Sequence, residues 1–406
     1  MIISIISCLF GRKEEIMNFR MPDYYNKFRC IADKCPDTCC VGWGIVVDDV
    51  SMKRYSKLPE ADKAYIMSRI DTDESTFIQN DGRCPFLNDK LLCDMHSQYG
   101  EAMLCKTCRR YPRHFEEYGD LVEACLSMSC PVAAEMIINN PDKDVFLVKA
   151  DKRKSVHHKE VDYVLLAGLT GVRQHIFEII NDRSMTINER MARILAYGEA
   201  IQKPVYSYEK QKAKFLFPKY KAGFLVGINH LTDMEALHFK KHGVTFSSYD
   251  RYNTMKMYMD MLLGLENINE DWPAMINKVK SELYENQGAF EYDRLYKDFL
   301  AYMDKQSHEY EHILNYFIYT YFLGGVYDFN ILSMIRLAVY LTSIIIEIGM
   351  YNWMINDKHF DTANQIKIAY MLSRQVEHSD DNLISLEGLL NAHPLFNNER
   401  FFTLFR

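Results

Sequence analysis

The sequence predicts a mainly α protein in two parts: a small irregular cysteine-rich metal-binding domain with short strands, then a larger α-helical domain. Two regularities and one interruption predict it. Ten of the eleven cysteines fall between Cys30 and Cys130, and none follows. Past Pro131 apolar residues recur almost everywhere at helical spacing. Between these regimes lie Asn139-Asn140-Pro141-Asp142 and the polar run from Ala150 to Glu160, which place a domain boundary near residue 155. The division is then a leader over 1–20, a cysteine-rich domain over 21–150 and a helical domain over 156–406.

The cysteines come in groups: Cys30, Cys35 and the adjacent Cys39-Cys40; Cys84, Cys93, Cys105 and Cys108; then Cys125 and Cys130. Thiols used only as small core hydrophobes would be scattered along the whole chain, so these act together, as metal ligands or as disulfides. Disulfide scaffolds are short and poor in core, whereas this chain is 48% hydrophobic and 13% aromatic, enough to bury a large interior. Metal or cluster ligation by reduced thiols is the better reading.

A length of 406 residues suggests about two to three domains. The net charge of -7 and the lack of a basic run set nucleic acid aside as a partner. Met1 to Phe10 is apolar but lacks the basic start and cleavage site of a signal peptide, and is too short to span a bilayer. The expectation is a disordered or over-annotated leader, with Met17 or Met21 as alternative starts, and a cytoplasmic protein whose thiols stay reduced.

Trp43-Gly44-Ile45-Val46-Val47-Asp48-Asp49 looks like a short strand, and Ser51 to Ile70 like a helix capped by Asp49 or Ser51. Cys84-Pro85 and Asn88-Asp89 mark turns that would bring Cys84 and Cys93 together in a hairpin-like arrangement. Cys105-Lys106-Thr107-Cys108 carries Arg109, Arg110 and Arg113 beside it, cations that would favour thiolates or form an exposed basic turn. Cys-x-x-Cys as a redox dithiol would want a βαβ context, which is absent here. Two zinc sites would use eight thiolates and one iron–sulfur cluster four; spacing does not choose between them.

Cys30, Cys35, Cys39-Cys40-Val41-Gly42-Trp43, Cys84-Pro85-Phe86-Leu87, Cys93, Cys108-Arg109-x-Tyr111-Pro112-Arg113 and Ser129-Cys130-Pro131 together resemble the flagellin lysine N-methylase family. The cysteine section is also similar to a broader zinc- or iron-chelating cysteine-cluster domain. The resemblance is sharp from Met21 to about Ala134, and Asn315-Tyr316-Phe317 suits the same family. It implies a cytoplasmic enzyme of the bacterial flagellum that moves methyl groups from S-adenosylmethionine to lysines of flagellin and holds an iron–sulfur cluster, 4Fe-4S, with zinc as the alternative. Cys30, Cys35, Cys39, Cys40, Cys84, Cys93, Cys108 and Cys130 are the cysteines it carries over as candidate ligands.

A radical mechanism would call for Cys-x-x-x-Cys-x-x-Cys, but Gly42 stands where the third cysteine after Cys35 and Cys39 should be. A deprotonated lysine is nucleophilic enough for polar displacement at a sulfonium, which leaves the cluster a staple or sensor unless it helps hold the cofactor. Such displacement needs a route for the ammonium proton, alignment and exclusion of water. The chain has 27 tyrosines, too many to single out a base, and no Gly-x-Gly-x-x-Gly follows a strand, so no cofactor pocket is placed.

Helices are expected over 132–139, 161–182, 187–202, 208–216, 231–241, 252–265 and 272–285, with closing helices over 360–375, 382–392 and 400–405. The adjacent His157-His158 cannot share a helix face and read as linker. Ile313 to Met350 is the most apolar section; Gly324-Gly325, Asp328, Arg336 and Glu347 divide it into core helices rather than a membrane span. His308-Glu309-Tyr310-Glu311-His312 matches His-Glu-x-x-His, so a zinc metallopeptidase is one alternative function and a non-catalytic metal scaffold another.

Overall fold

The computed structural model describes residues 16–154, 158–211, 218–230 and 248–405, and in these the chain is mainly helical, with its few strands confined to the cysteine-rich side. Strands β1 (Ile16–Pro22), β4 (Arg113–Tyr118), β5 (Leu121–Leu126) and β6 (Phe146–Lys154) form one sheet in the order β4-β5-β1-β6; β2 (Ile70–Asp71) and β3 (Thr76–Phe77) form a small ladder. The sequence reading ended its leader at residue 20, yet β1 begins at Ile16 and is an interior strand. It runs parallel to β5, with Arg20 opposite Glu123, and antiparallel to β6, with Phe19 opposite Lys149. Pairing on both edges is what orders it.

The short helices of the cysteine-rich side are α1 (Asp49–Tyr55), α2 (Glu60–Met67), α3 (Asp94–Tyr99) and α4 (Lys106–Arg110), followed by α5 (Pro131–Ile138). The single helix expected over 51–70 is two, because Pro59 lacks the N–H that would continue α1 and instead serves as the N-cap of α2. The cap of α1 is Asp48, rather than Asp49 or Ser51, and it accepts from Ser51 N at 3.0 Å. The strand expected over 43–49 is only an extended segment joined to residues 75–77, through Phe77 N to Ile45 O at 3.0 Å and Val47 N to Ser75 O at 2.7 Å.

The helical side comprises α6 (Tyr163–Ile180), α7 (Ile187–Lys210), α8 (Pro218–His230), α9 (Ser248–Leu262), α10 (Trp272–Lys280), α11 (Ala289–Tyr302), α12 (Ser307–Tyr321), α13 (Ile331–Ile355), α14 (Thr362–Glu377), α15 (Asp380–Ala392) and α16 (Asn398–Phe402). The expected helix over 231–241 lies outside the described residues, as does His157. Local chemistry sets the starts: Thr186 and Glu189 close a capping box on α7, and Asp361 and Asn364 close one on α14.

At the centre stands α13, packed against α7, α12, α14 and α15. Its 25 residues are long and apolar enough to cross a membrane, unlike the interrupted run read from sequence, but nearly all are buried within the protein. The charges within α13 are satisfied in place. Arg336 donates to Leu390 O at 2.8 Å and Asn398 Oδ1 at 2.7 Å, while Glu347 meets Arg251 at 3.2 Å.

The core does not divide at residue 155. Tyr118, Cys125, Met128 and Ile137 belong to the same apolar cluster as α6 and α12, whereas Ile45, Tyr55, Phe77, Phe86 and Met95 make a separate small core around the cysteines. A buried ion pair ties sheet to helices: Glu123, on β5, receives Arg173 Nη1 of α6 at 2.7 Å and Arg20 Nη1 of β1 at 3.2 Å. Removing one partner of such a pair strands the other charge away from water. Glu123→Ala should therefore destabilise the protein by about 3–5 kcal/mol in urea unfolding, with Glu123→Gln costing less.

Candidate functional site

Some of the sulfurs predicted to act together lie close to one another. Backbone bonding brings the segments side by side: Cys84 N donates to Cys40 O at 2.8 Å, and Asp94 N to Phe86 O at 2.7 Å. The turn between Cys84 and Cys93 is set by Asn88, whose Oδ1 accepts from Lys90 N at 2.9 Å and Leu92 N at 3.1 Å. Asp48 pins the Cys105–Cys108 turn by accepting from Lys106 N at 2.7 Å. Burial works against the Asp48 carboxylate, yet the Lys106 and Ser51 donors outweigh it and hold its pKa down at about 2.

The Cys40 thiol lies within hydrogen-bonding reach of Cys39, Cys84 and Cys93, and Cys105 within reach of Cys108. Cys39, Cys40, Cys84 and Cys93 thus form one close group and Cys105 and Cys108 another, while Cys30, Cys35 and Cys130 join this string only through longer-range influence of charge. The ten cysteines within the described residues are free thiols. Hydrogen bonds from Cys40 push Cys93 down to about 7 and lower Cys84, and the bond from Cys108 brings Cys105 to about 7. Cys108 is held up chiefly by that same bond, and Cys130 is raised to about 11 by burial. Cys40 is raised as well: its bond from Cys39 favours the thiolate, but those to Cys84 and Cys93, with burial, outweigh it. Part of the string is therefore poised toward thiolate, the form that ligates metals. Among the described residues, no three His, Cys, Asp or Glu side chains already close around a single ion.

Two of the three arginines beside the Cys105–Cys108 turn lie over aromatic rings. Arg110 lies over Phe115 at 5.2 Å and Arg113 over Phe28 at 5.1 Å. Burial raises Cys35, and the bond with Cys40 followed by burial raises Cys39; the cation that partly opposes both is Arg374, near the end of α14.

Arg374 also marks the seam between the two sides. It is buried, pairs with Asp37 at 2.7 Å and donates through Nε to Ser129 O at 3.0 Å. Next to it Trp43 stacks on His378, ring centroids 4.9 Å apart, and Tyr111 meets the same imidazole edge-on at 5.8 Å. Trp43 is held by its own indole N–H, which donates to Cys39 O at 2.8 Å. Gly42 explains itself here. With φ +86° and the Ile268 carbonyl where a Cβ would stand, this position admits neither cysteine nor any other side chain without a shift.

Beneath this aromatic wall opens a cavity of about 820 Å³, bounded by Lys106 and Tyr111 from the cysteine-rich side, His114 and Glu116 from β4, Tyr316 and Tyr321 from α12, and Glu377 from α14. Glu377 accepts from Tyr316 Oη at 2.8 Å, Tyr321 Oη at 2.8 Å, Ser127 Oγ at 3.0 Å and Ser373 Oγ. Burial, and then the Glu377 charge, hold both tyrosine hydroxyls well above their usual pKa. Burial pushes His378 down to about 3, assisted by Arg374, so it is a neutral ring; its Nε2 lies 3.0 Å from Ser129 Oγ. His378 Nδ1 and Arg374 Nη2 are buried polar atoms without a protein partner, which is where a bound molecule or water is expected.

Sequence reasoning found Trp43 and Tyr316 only as parts of motifs, and missed Tyr321, Glu377 and His378. One signal was available. Glu377 is the last residue of α14, where the helix dipole disfavours a negative charge, so a carboxylate there calls for another reason. Asn315, in the same motif as Tyr316, is structural: its Nδ2 donates to Asp144 at 2.8 Å and Asn181 at 2.9 Å.

The His308–His312 pattern is not a zinc site. His312 Nδ1 sits 2.9 Å from Asp144 and its Nε2 2.7 Å from Asn140 O, so both ring nitrogens are engaged. Glu309 turns to Thr362 Oγ1 at 2.6 Å, and Glu311 binds Arg190 at 2.8 Å. The peptidase alternative falls with those contacts. Burial raises Glu309 to about 7, above its unfolded value, so its protonated form favours the fold and stability declines as pH rises from about 4.5 through 7. Glu309→Gln should flatten the fall in stability between pH 5 and 8 by up to about 3 kcal/mol, measured by urea unfolding across that range.

Residues 173–404 match the family model of the FliB lysine N-methylase C-terminal domain. The chain is similar, at 29% identity over 134 residues, to the lysine-N-methylases of Salmonella typhimurium strain LT2 and Salmonella choleraesuis strain SC-B67, covering 30% of this chain and 32% of each relative. It is similar to the same degree to the flagellar biosynthetic protein FliU of Salmonella muenchen, over 30% of this chain and 77% of that protein. The match thus spans about a third of the two lysine-N-methylases. No solved structure matches.

Proposed function

The chain belongs to the FliB lysine N-methylase family, and we propose that it transfers methyl groups from S-adenosylmethionine to lysine side chains of flagellin, in the cytoplasm, within the cavity beneath Trp43 and His378. One observation supports this placement above the rest: the 820 Å³ cavity has aromatic faces and carboxylates in its wall, and lies where the family's helical region meets the cysteine-rich side. Both reactants are cations, a sulfonium and an ammonium, and aromatic faces with nearby carboxylates suit cations. The volume is within the range of small-molecule sites. The orphaned His378 Nδ1 fits a bound molecule at the same wall.

Bound there, S-adenosylmethionine would supply an electrophilic methyl group on sulfur. The chain's own part is to orient the lysine, keep water out and take up its proton. Flagellin as substrate rests on the names of the relatives, a flagellar biosynthetic protein among them.

The same reading includes an iron–sulfur cluster. The donor chemistry fits: an all-sulfur set in which Cys40 reaches Cys39, Cys84 and Cys93, with Cys105 and Cys108 beside it and Cys30, Cys35 and Cys130 further along the string. These residues would hold it, and it would cross-link segments that otherwise share only a small core.

Protein purified without oxygen should transfer radiolabelled methyl from S-adenosylmethionine to flagellin and contain iron with acid-labile sulfide. Absence of label on flagellin would contradict the assigned activity. Zinc without sulfide would replace the cluster, and Cys40→Ser should lower the iron content.

A further inference from the structure

Glu377 is a carboxylate whose four described partners are all uncharged hydroxyls: Tyr316, Tyr321, Ser127 and Ser373. Three other interior carboxylates carry cations, whereas Glu309 has, among the described residues, only the Thr362 hydroxyl. Glu123 has Arg173 and Arg20, Glu311 has Arg183 and Arg190, and Glu347 has Arg251. Among the described residues Glu377 forms no ion pair, although Arg374 stands one turn back on the same helix, committed to Asp37. Four hydroxyls satisfy the oxygens without neutralising them, so the site presents an oriented carboxylate to a visiting cation.

The groups facing it from neighbouring elements make no ion pair with it. From β5 comes the Cys125 thiol, which burial raises; from β4, His114, whose hydrogen-bond partner Glu116 at 2.8 Å raises it, with the Glu377 charge adding to the effect; on its own helix side, the neutral His378. The cavity wall carries both signs of charge, Lys106, Arg110 and Arg113 with Asp380, Glu116 and Glu387, and among the described residues none of these cations pairs with Glu377. The hydroxyls come from three separate places, α12, the loop after β5 and α14 itself, so the carboxylate is held in one orientation at the wall.

We propose that Glu377 is the catalytic residue that receives the substrate's lysine ammonium and takes its proton; this rests on the methyl-transfer reading above. The step balances. Glu377 accepts one proton from the ammonium, the freed nitrogen lone pair forms the new N–C bond to the methyl group, and the C–S bonding pair returns to sulfur, leaving a neutral thioether. Glu377 then returns its proton to solvent. Proton transfer toward the carboxylate is favoured because a neutral acid–amine pair is cheaper than an ion pair in a site emptied of water, and because the sulfonium repels the ammonium. Trp43 and Tyr111, at the same wall, offer faces to an amine that stays cationic after methylation.

The test is steady-state methyl transfer to flagellin from pH 6 to 10. Glu377→Gln should lower kcat/KM at pH 7 about 100-fold or more, chiefly in kcat, with the deficit shrinking toward pH 10, where lysine loses its proton unaided. Tyr321→Phe removes one donor from the carboxylate, raises its proton affinity and should move the acidic limb of the profile to higher pH, which a purely structural hydroxyl would not do. This second profile decides the matter if Glu377→Gln does not fold. Transfer by the unaltered protein together with wild-type profiles in both variants would overturn the Glu377 assignment alone. No transfer by the unaltered protein at any pH would overturn it along with the methyl-transfer reading.

Discussion

The arrangement depends on a single buried arginine. Arg374 reaches from α14 to Asp37 in the first cysteine group and to the carbonyl of Ser129 beside Cys130, so one side chain fastens both ends of the sulfur-bearing region to the helical core. A guanidinium suits this because it is always charged and presents its donors in a planar fork. The stacked Trp43 and His378 rings and the close approach of Gly42 to Ile268 complete the contact. Loosen this seam and the cavity loses a wall, because Lys106, Thr107 and Tyr111 border it from one side and α12 and α14 from the other.

That geometry relates the sulfurs to the cavity without placing them in it. Trp43 is tied to Cys39 by its indole N–H, and Thr107 lies between Cys105 and Cys108 while lining the cavity. A metal centre gripped by the string would fix the backbone on which the aromatic wall stands. Cys125, the cysteine that does border the cavity, is a buried thiol kept protonated and set against Thr320. Gly42 fits as the residue that lets the two sides meet.

What could be read in the sequence follows from how locally each feature is specified. Long amphipathic helices such as α6 and α7 show in the period of their apolar residues, and the crowding of cysteines before Pro131 is plain from the sequence. The sheet was missed, although Gly119-Asp120 between two six-residue strands is a hairpin signal. β1 could not be seen, because an interior strand gains its order from β5, about a hundred residues on, and from β6. The candidate site was the least legible. Glu377, His378 and Tyr321 have no motif and gain meaning only where α12, α14 and the loop after β5 meet. The family resemblance came from Met21 to Ala134, whereas the family model matches residues 173–404, so the two recognitions rest on different halves of one assembly.

The central claim is that the cavity at this seam holds the methyl donor. Isothermal titration of S-adenosylmethionine into the full chain and into Leu383→Trp, which puts an indole into that space from α15, tests it most directly. The account predicts saturable binding to the unaltered protein and its loss in a variant that melts at the same temperature. Equal affinity in both would contradict it.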